Sequence, residues 1–198
     1  MRYGLLIVFL MFSVFALAQK PAGFIDEISV PEGFKIELFA IDIVNARTLA
    51  QGPKGLFFVG TRGEGNVYAV VDDDGDWKAD TTYVLASGLN MPNGVAYKNG
   101  DLYIAEVSRV SVMRNILESL ESPPDMETIN DNFPTDKHHG WKYIAFGPDD
   151  KLYVPVGGPC NVCVKKDERY ASIMRMNADG SDLEVFASGI RNSVGFDW

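Results

Sequence analysis

Both histidines and both cysteines of this 198-residue chain fall in one stretch, HHGWKYIAFGPDDKLYVPVGGPCNVC, at residues 138–163. Histidine is the side chain whose ordinary pKa lets it take and give a proton near neutrality, so His138 and His139 are the natural candidates for a general base. The pair directly precedes a strand–turn–strand pattern. At the matching point of the next such unit stands an Arg-Asn pair, Arg191 and Asn192, inside GIRNSVGFDW. A second group of chemically able residues is DDDGDWKAD, where Asp72, Asp74, Asp76 and Asp80 occupy relative positions 1, 3, 5 and 9. Carboxylates spaced in this way let one tight turn wrap a calcium ion with oxygen ligands. Trp77 stands where such loops usually carry glycine, and a solvated acidic hairpin without metal is the equal alternative. Cys160 and Cys163 are two residues apart. A local structural disulfide suits them better than a zinc site, which needs more ligands, or a redox motif, which would open a helix in a βαβ unit.

The elements that must hold these residues repeat along the chain. RTLAQGPKGLFFVGT, PNGVAYKNGDLYIAEV and WKYIAFGPDDKLYVPVG each read as strand, polar turn, strand, and aligning Leu56, Leu102 and Leu152 gives spacings of 46 and 50 residues. The turns at 53–55, 98–100 and 148–150 carry Pro, Gly, Asn and Asp, as hairpins require. Each unit continues into a further β-like run (NVYAVVD, RVSVMRNI, SIMRMNADG), and TTYVLASGL and LEVFASGI close two of them. Four short strands per repeat at this period predict the blades of an all-β β-propeller. About three blades and the opening strand of a fourth, GIRNSVGFDW, are expected, so the chain reads as an incomplete ring. The residues most prone to helix, 115–122, form an insertion ahead of the Pro123-Pro124 break.

Residues 1–18 have the features of a secretory signal: Arg2, an apolar run at 5–12 and Ala16-Leu17-Ala18 before a cleavage point. The apolar run is too short to span a bilayer. The expected product is a partial propeller domain at 19–198, secreted or periplasmic, with no stable membrane insertion. The chain carries 27 Asp+Glu against 18 Lys+Arg, a net charge of −9. That balance argues against nucleic acid and anionic lipid as partners and suits neutral or cationic ligands.

The chain resembles the glucose/sorbosone dehydrogenase family, most closely its sorbosone-dehydrogenase-like branch. The residues that carry the likeness are VPEGFKIELFA, NARTLA, VGTRGEGNVYAVVDDDGD, LNMPNGVAY, HHGWKYIAFGPDDKLYVPVG, CNVC and GIRNSVGFDW. The resemblance implies a six-bladed propeller that binds pyrroloquinoline quinone (PQQ), usually with calcium, and oxidises the anomeric carbon of an aldose or related sugar aldehyde, passing electrons to a further acceptor. On that footing His139, eight residues before Gly147-Pro148-Asp149, matches the general base that takes the proton of the sugar's C1 hydroxyl while hydride passes to the quinone. His138 is the alternative if the loop is shifted by one. Arg191 and Asn192 match the pair that holds the quinone oxygens, with Arg191 stabilising the charge that grows there. Asp150 departs from the family's usual glycine. The ligands of the family's cofactor calcium are expected beyond Trp198, and these 198 residues alone are expected to be inactive. Two other classes compete: a non-catalytic propeller that binds a sugar or a protein, and a calcium-dependent lactonase. The base and the Arg-Asn pair favour the dehydrogenase.

Overall fold

A computed structural model describes residues 25–198; the signal-like segment lies outside them. Two units are present, one ending at Ile41 and one spanning Asp42–Trp198. In the first, a 3-10 turn at Ile25–Glu27 is followed by a turn at Glu32-Gly33 and irregular chain. The sheets lie in the second.

Twelve strands form three antiparallel four-stranded sheets, each in simple sequence order. The first sheet holds β1 (Ala46–Gln51), β2 (Leu56–Thr61), β3 (Val67–Val71) and β4 (Thr81–Ala86). The second holds β5 (Gly94–Lys98), β6 (Asp101–Ala105), β7 (Val110–Met113) and β8 (Glu127–Asn130). The third holds β9 (Ala145–Phe146), β10 (Leu152–Val156), β11 (Ser172–Met176) and β12 (Glu184–Ser188). These are three propeller blades. The first strands β1, β5 and β9 are consecutive neighbours, as the inner strands of adjoining blades must be.

Local chemistry sets the hairpins. Asn99 (φ 53°) and Gly100 (φ 95°) make the two-residue link between β5 and β6, because only Gly, Asn and Asp readily take the left-handed conformation that this turn demands at both positions. The middle strands bury both faces. Along β6, Leu102 and Ile104 pack into one core with Phe58 and Val67, while Tyr103 and Ala105 pack into another with Val154 and Met174. The second blade is therefore filling on both sides, as strand alternation dictates when a sheet is sandwiched.

Three features differ from the sequence expectation. The second blade has a closing strand, β8, in ETIN after the Pro-rich insertion, where no fourth run is evident in the sequence. The helix-prone insertion contains one 3-10 turn, Ile116–Glu118, entered through a left-handed Asn115. GIRNSVGFDW is not a strand: residues 191–198 have no strand partner among the described residues, and a strand without a ladder leaves its backbone groups unpaired. Its Phe196 and Trp198 rings instead cover Tyr153, at 6.4 and 5.1 Å.

Register fixes which loops lie together. Ala46 pairs with Thr61, Gly94 with Ala105, and Val156 with Ser172. The starts of β1, β5 and β9 and the ends of β2, β6 and β10 therefore share one end of the blades. The acidic loop at 72–80 follows β3, whose end Val71 pairs with Leu56, so it sits at the opposite end.

Candidate functional site

The His-His loop is a tight turn ahead of β9. Gly140 N–H donates to Lys137 O at 3.1 Å, and a Cβ on Gly140 would stand 2.2 Å from Asp136 O. His139 is forced into the left-handed region, φ 53°, an arrangement that costs energy for a non-glycine residue and that collects at functional sites. Its half-buried ring lies against the end of β10. Nδ1 is 2.8 Å from Gly158 O; a carbonyl can only accept, so Nδ1 carries a proton, and in the neutral ring Nε2 is the nitrogen with the lone pair. That is the tautomer a general base needs.

His138 has the opposite arrangement. Arg191 Nη2 donates to Asn161 Oδ1 at 2.9 Å, which identifies that atom as the amide oxygen, because guanidinium never accepts. His138 Nε2 lies 3.4 Å from the same oxygen and so must be its donor. His138 is exposed, and the ring pair is 4.0 Å apart between centroids. Of the two histidines, His139 has the half-buried ring and the shorter anchor, 2.8 against 3.4 Å, and the nitrogen left without a partner among the described residues is Nε2 rather than Nδ1.

Arg191 and Asn192 arrive at the same place. Gly158 N–H donates to Arg191 O at 2.7 Å. A Cβ on Gly157 would meet His139 Cβ at 2.5 Å and Asn192 Oδ1 at 2.7 Å. Only glycine lets the histidine, the asparagine and the β10 terminus approach so closely. The fold thus gathers His139, Arg191 and Asn192, distant in sequence, around Gly157-Gly158. The Cys160–Cys163 disulfide, with Cα atoms 6.0 Å apart, closes the loop that follows and carries Asn161. A cleft of about 680 Å³ shares Gly158 with this cluster and runs past Pro159, Cys163 and Tyr170.

Several neighbours have no marker in the sequence. Trp141 lies 6.2 Å from His139 between ring centroids. Arg62, following β2, stacks on the indole at 3.8 Å, and Arg47 of β1 stands 5.7 Å from it. An aromatic beside a histidine pair can be flagged from sequence, but its cationic partners, some eighty residues upstream, cannot. Lys142 is fully buried, and burial draws its ammonium down to a pKa of about 7. Its carbonyl accepts from Asn93 Nδ2 at 2.6 Å, and Asn93 Oδ1 is a buried acceptor without a partner among the described residues.

The acidic hairpin is brought together in part. Oxygens of Asp72, Asp74 and Asp80 lie within 4.8 Å of one another. Asp76 is outside that group and accepts from Lys78 N–H at 2.9 Å. Buried Asp72 accepts from Gly75 N–H at 2.7 Å and Trp77 N–H at 3.0 Å. Trp77 has φ 66°, so the turn does need a left-handed residue where the sequence has no glycine.

A family described as a domain of unknown function (DUF7133) matches residues 20–198. A protein of Borreliella burgdorferi, described as uncharacterized, is 27 % identical over 96 % of this chain and 50 % of its own length. The chain therefore spans about half the length of the curated relative it matches. Among solved structures, the holo PQQ domain of pyranose dehydrogenase from Coprinopsis cinerea superposes with a TM-score of 0.66 at 15 % identity, covering 76 % of this chain and 40 % of that one. The PQQ-bound aldose sugar dehydrogenase of Streptomyces coelicolor superposes with a TM-score of 0.58 at 22 % identity, covering 79 % and 54 %. At these identities the likeness is one of fold, the β-propeller.

Proposed function

The chain belongs to the family described as a domain of unknown function (DUF7133), and on that footing we propose that it is the base-bearing part of an exported PQQ-dependent dehydrogenase that oxidises the anomeric carbon of an aldose or a sorbosone-like sugar aldehyde. One observation carries the reading: His139, with Nδ1–H held by Gly158 O, meets Arg191 and Asn192 around Gly157. A binding module has no need of a histidine anchored through Nδ1 next to a guanidinium held by an amide and paired with no carboxylate among the described residues. The PQQ-containing propellers that share this fold add support, and the disulfide suits an oxidising compartment.

The residues present fit the quinone. PQQ is an anionic, planar ortho-quinone, and this end of the blades offers a guanidinium, an amide and a stacked indole. When bound, the quinone supplies the two-electron acceptor for the hydride leaving C1. His139 Nε2 removes the proton of the C1 hydroxyl, and the bond to Gly158 O holds the ring in position as it becomes cationic. Arg191 faces the negative charge that develops on the acceptor side, with Asn161 fixing its orientation. Asn192 contributes an amide to the same wall.

The test is dye reduction by the full-length protein with added PQQ and a panel of aldoses, beside direct titration of PQQ. His139→Ala should lower turnover at least about a hundredfold, the scale of a lost general base, while PQQ affinity changes little. Loss of PQQ binding together with turnover would make His139 a structural residue and sink its assignment as the base. We assign the acidic hairpin as a structural calcium loop, remote from this chemistry; its three converging carboxylates support that assignment.

A further inference from the structure

We propose that Arg47, Arg62 and Trp141 form a carboxylate-binding subsite next to His139, so that the ligand handled here bears a carboxylate. The inference deepens the dehydrogenase reading and rests on it for the role of His139. It starts from charge. In a protein with a net charge of −9, cations find carboxylates easily, and four of the described arginines do so, while Arg191 is held by the Asn161 amide. Arg109 pairs with Glu106, Arg114 with Asp101 and Glu127, Arg169 with Asp167, and Arg175 with Asp149 and Glu184. Arg47 and Arg62 form no ion pair among the described residues. They share one indole instead, Arg62 in stacking contact at 3.8 Å and Arg47 at 5.7 Å.

Two guanidinium groups over a single ring repel one another, and the ring face compensates only part of that cost. A carboxylate between them would relieve the repulsion and supply the paired N–H···O contacts for which guanidinium geometry is suited. The position is specific. Both arginines sit at the blade end that carries the His-His loop, because Ala46 pairs with Thr61 and the two arginines follow those residues. Trp141 links them to the base, its ring 6.2 Å from that of His139. Asn161 joins the neighbouring His138 to Arg191. A ligand whose carboxylate seats on Arg47 and Arg62 would lie beside Trp141, with a neighbouring hydroxyl on the side of His139. This reading departs from the expectation, drawn from net charge alone, of a neutral or cationic ligand.

The carboxylate could belong to a sugar acid or to the quinone, and titration separates the two. The full chain is titrated calorimetrically with D-glucuronate, D-glucose and PQQ, and so is the Arg47→Gln/Arg62→Gln variant. Glucuronate binding at least about tenfold tighter than glucose, with the preference lost in the variant and weakened by salt, supports the subsite with a sugar acid as its ligand. A similar loss confined to PQQ supports it with the quinone as the source. Unchanged affinities for both ligands in the variant overturn it. If the double variant melts early, Arg47→Gln alone, at an exposed position, gives the same readout, and Arg62→Lys should restore charge without the stacked plane. Failure of the dehydrogenase reading looks different: no dye reduction in the unmodified chain, with the glucuronate preference intact.

Discussion

Lys142 lies three residues from the proposed base and is 1 % exposed. Its Nζ donates to Gly140 O at 3.3 Å and stands 5.3 Å from the centre of the Phe133 ring, with no carboxylate paired to it among the described residues. An ammonium in such surroundings loses hydration that one carbonyl and one ring face cannot replace. Burial therefore lowers its pKa from 10.5 to about 7. The folded state binds its proton less tightly than the unfolded chain, so this residue's destabilising effect is full below pH 7. It is relieved as pH rises toward 10.5, the window in which the unfolded chain holds the extra proton. Lys142→Met, which keeps the length and removes the charge, should stabilise the protein most at pH 6, by up to about 5 kcal/mol. The gain should shrink steadily toward pH 10. Urea unfolding of both proteins at pH 6, 8 and 10 checks this, and a difference that does not change with pH would refute it. Nothing in the sequence marks Lys142 as buried, because WKYI has no neighbour in sequence that reveals which side faces inward. The core of the second blade decides it.

The hairpin joining β3 and β4 shows how far a sequence motif carries and where it stops. Spacing alone brought out four aspartates; the folded turn converges three, because Asp76 is drawn to Lys78 while Asp72 is pinned by the amides of Gly75 and Trp77. Three carboxylates within 4.8 Å repel one another without a cation. Calcium at 5 mM should raise the melting temperature by a few degrees, on the order of 1–2 kcal/mol for a site of extracellular affinity. Asp74→Asn should abolish that shift while leaving the calcium-free protein as stable or more so. A melting curve indifferent to calcium would make the loop a solvated acidic turn. Other elements differ in how plainly the sequence announces them. Lys-Asn-Gly and Pro-Lys-Gly specify their hairpins through backbone conformation, a local property. β9 is only Ala145–Phe146, although WKYIAF reads as a longer strand, because the Lys142 carbonyl is bonded to Asn93 of the second blade and Gly94 packs beneath it. β8 is short and polar, and its strand character comes from the ladder with β7. The Arg47–Trp141–Arg62 stack is likewise a tertiary fact with no local trace.

At the scale of the molecule, the three blades stand or fall together because the middle one contributes to both cores. Ile104 is wholly buried in the core between the first and second blades, and Val154 in the core between the second and third. The Arg47–Trp141–Arg62 stack depends on this arrangement, since Trp141, entering the third blade, meets the two arginines only if the first and third blades hold their places beside the second. Ile104→Ala should cost about 2–5 kcal/mol through lost burial and the cavity left behind. In a domain of this size that is a fall of about 10 °C in melting temperature. Val84 on the outer strand β4 is 54 % exposed, and Val84→Ala should change stability by under about 0.5 kcal/mol. Val154→Ala probes the other core. If the blades share one cooperative structure, Ile104→Ala and Val154→Ala must shift the same single transition, and His139 must lose its environment in step with it. Calorimetry gives the first and the histidine ring NMR signals give the second. Two separate transitions, one moved by each substitution, would mean that the blades melt independently. The site would then be assembled by weak contact between them and could not hold two arginines from the first blade against a tryptophan entering the third.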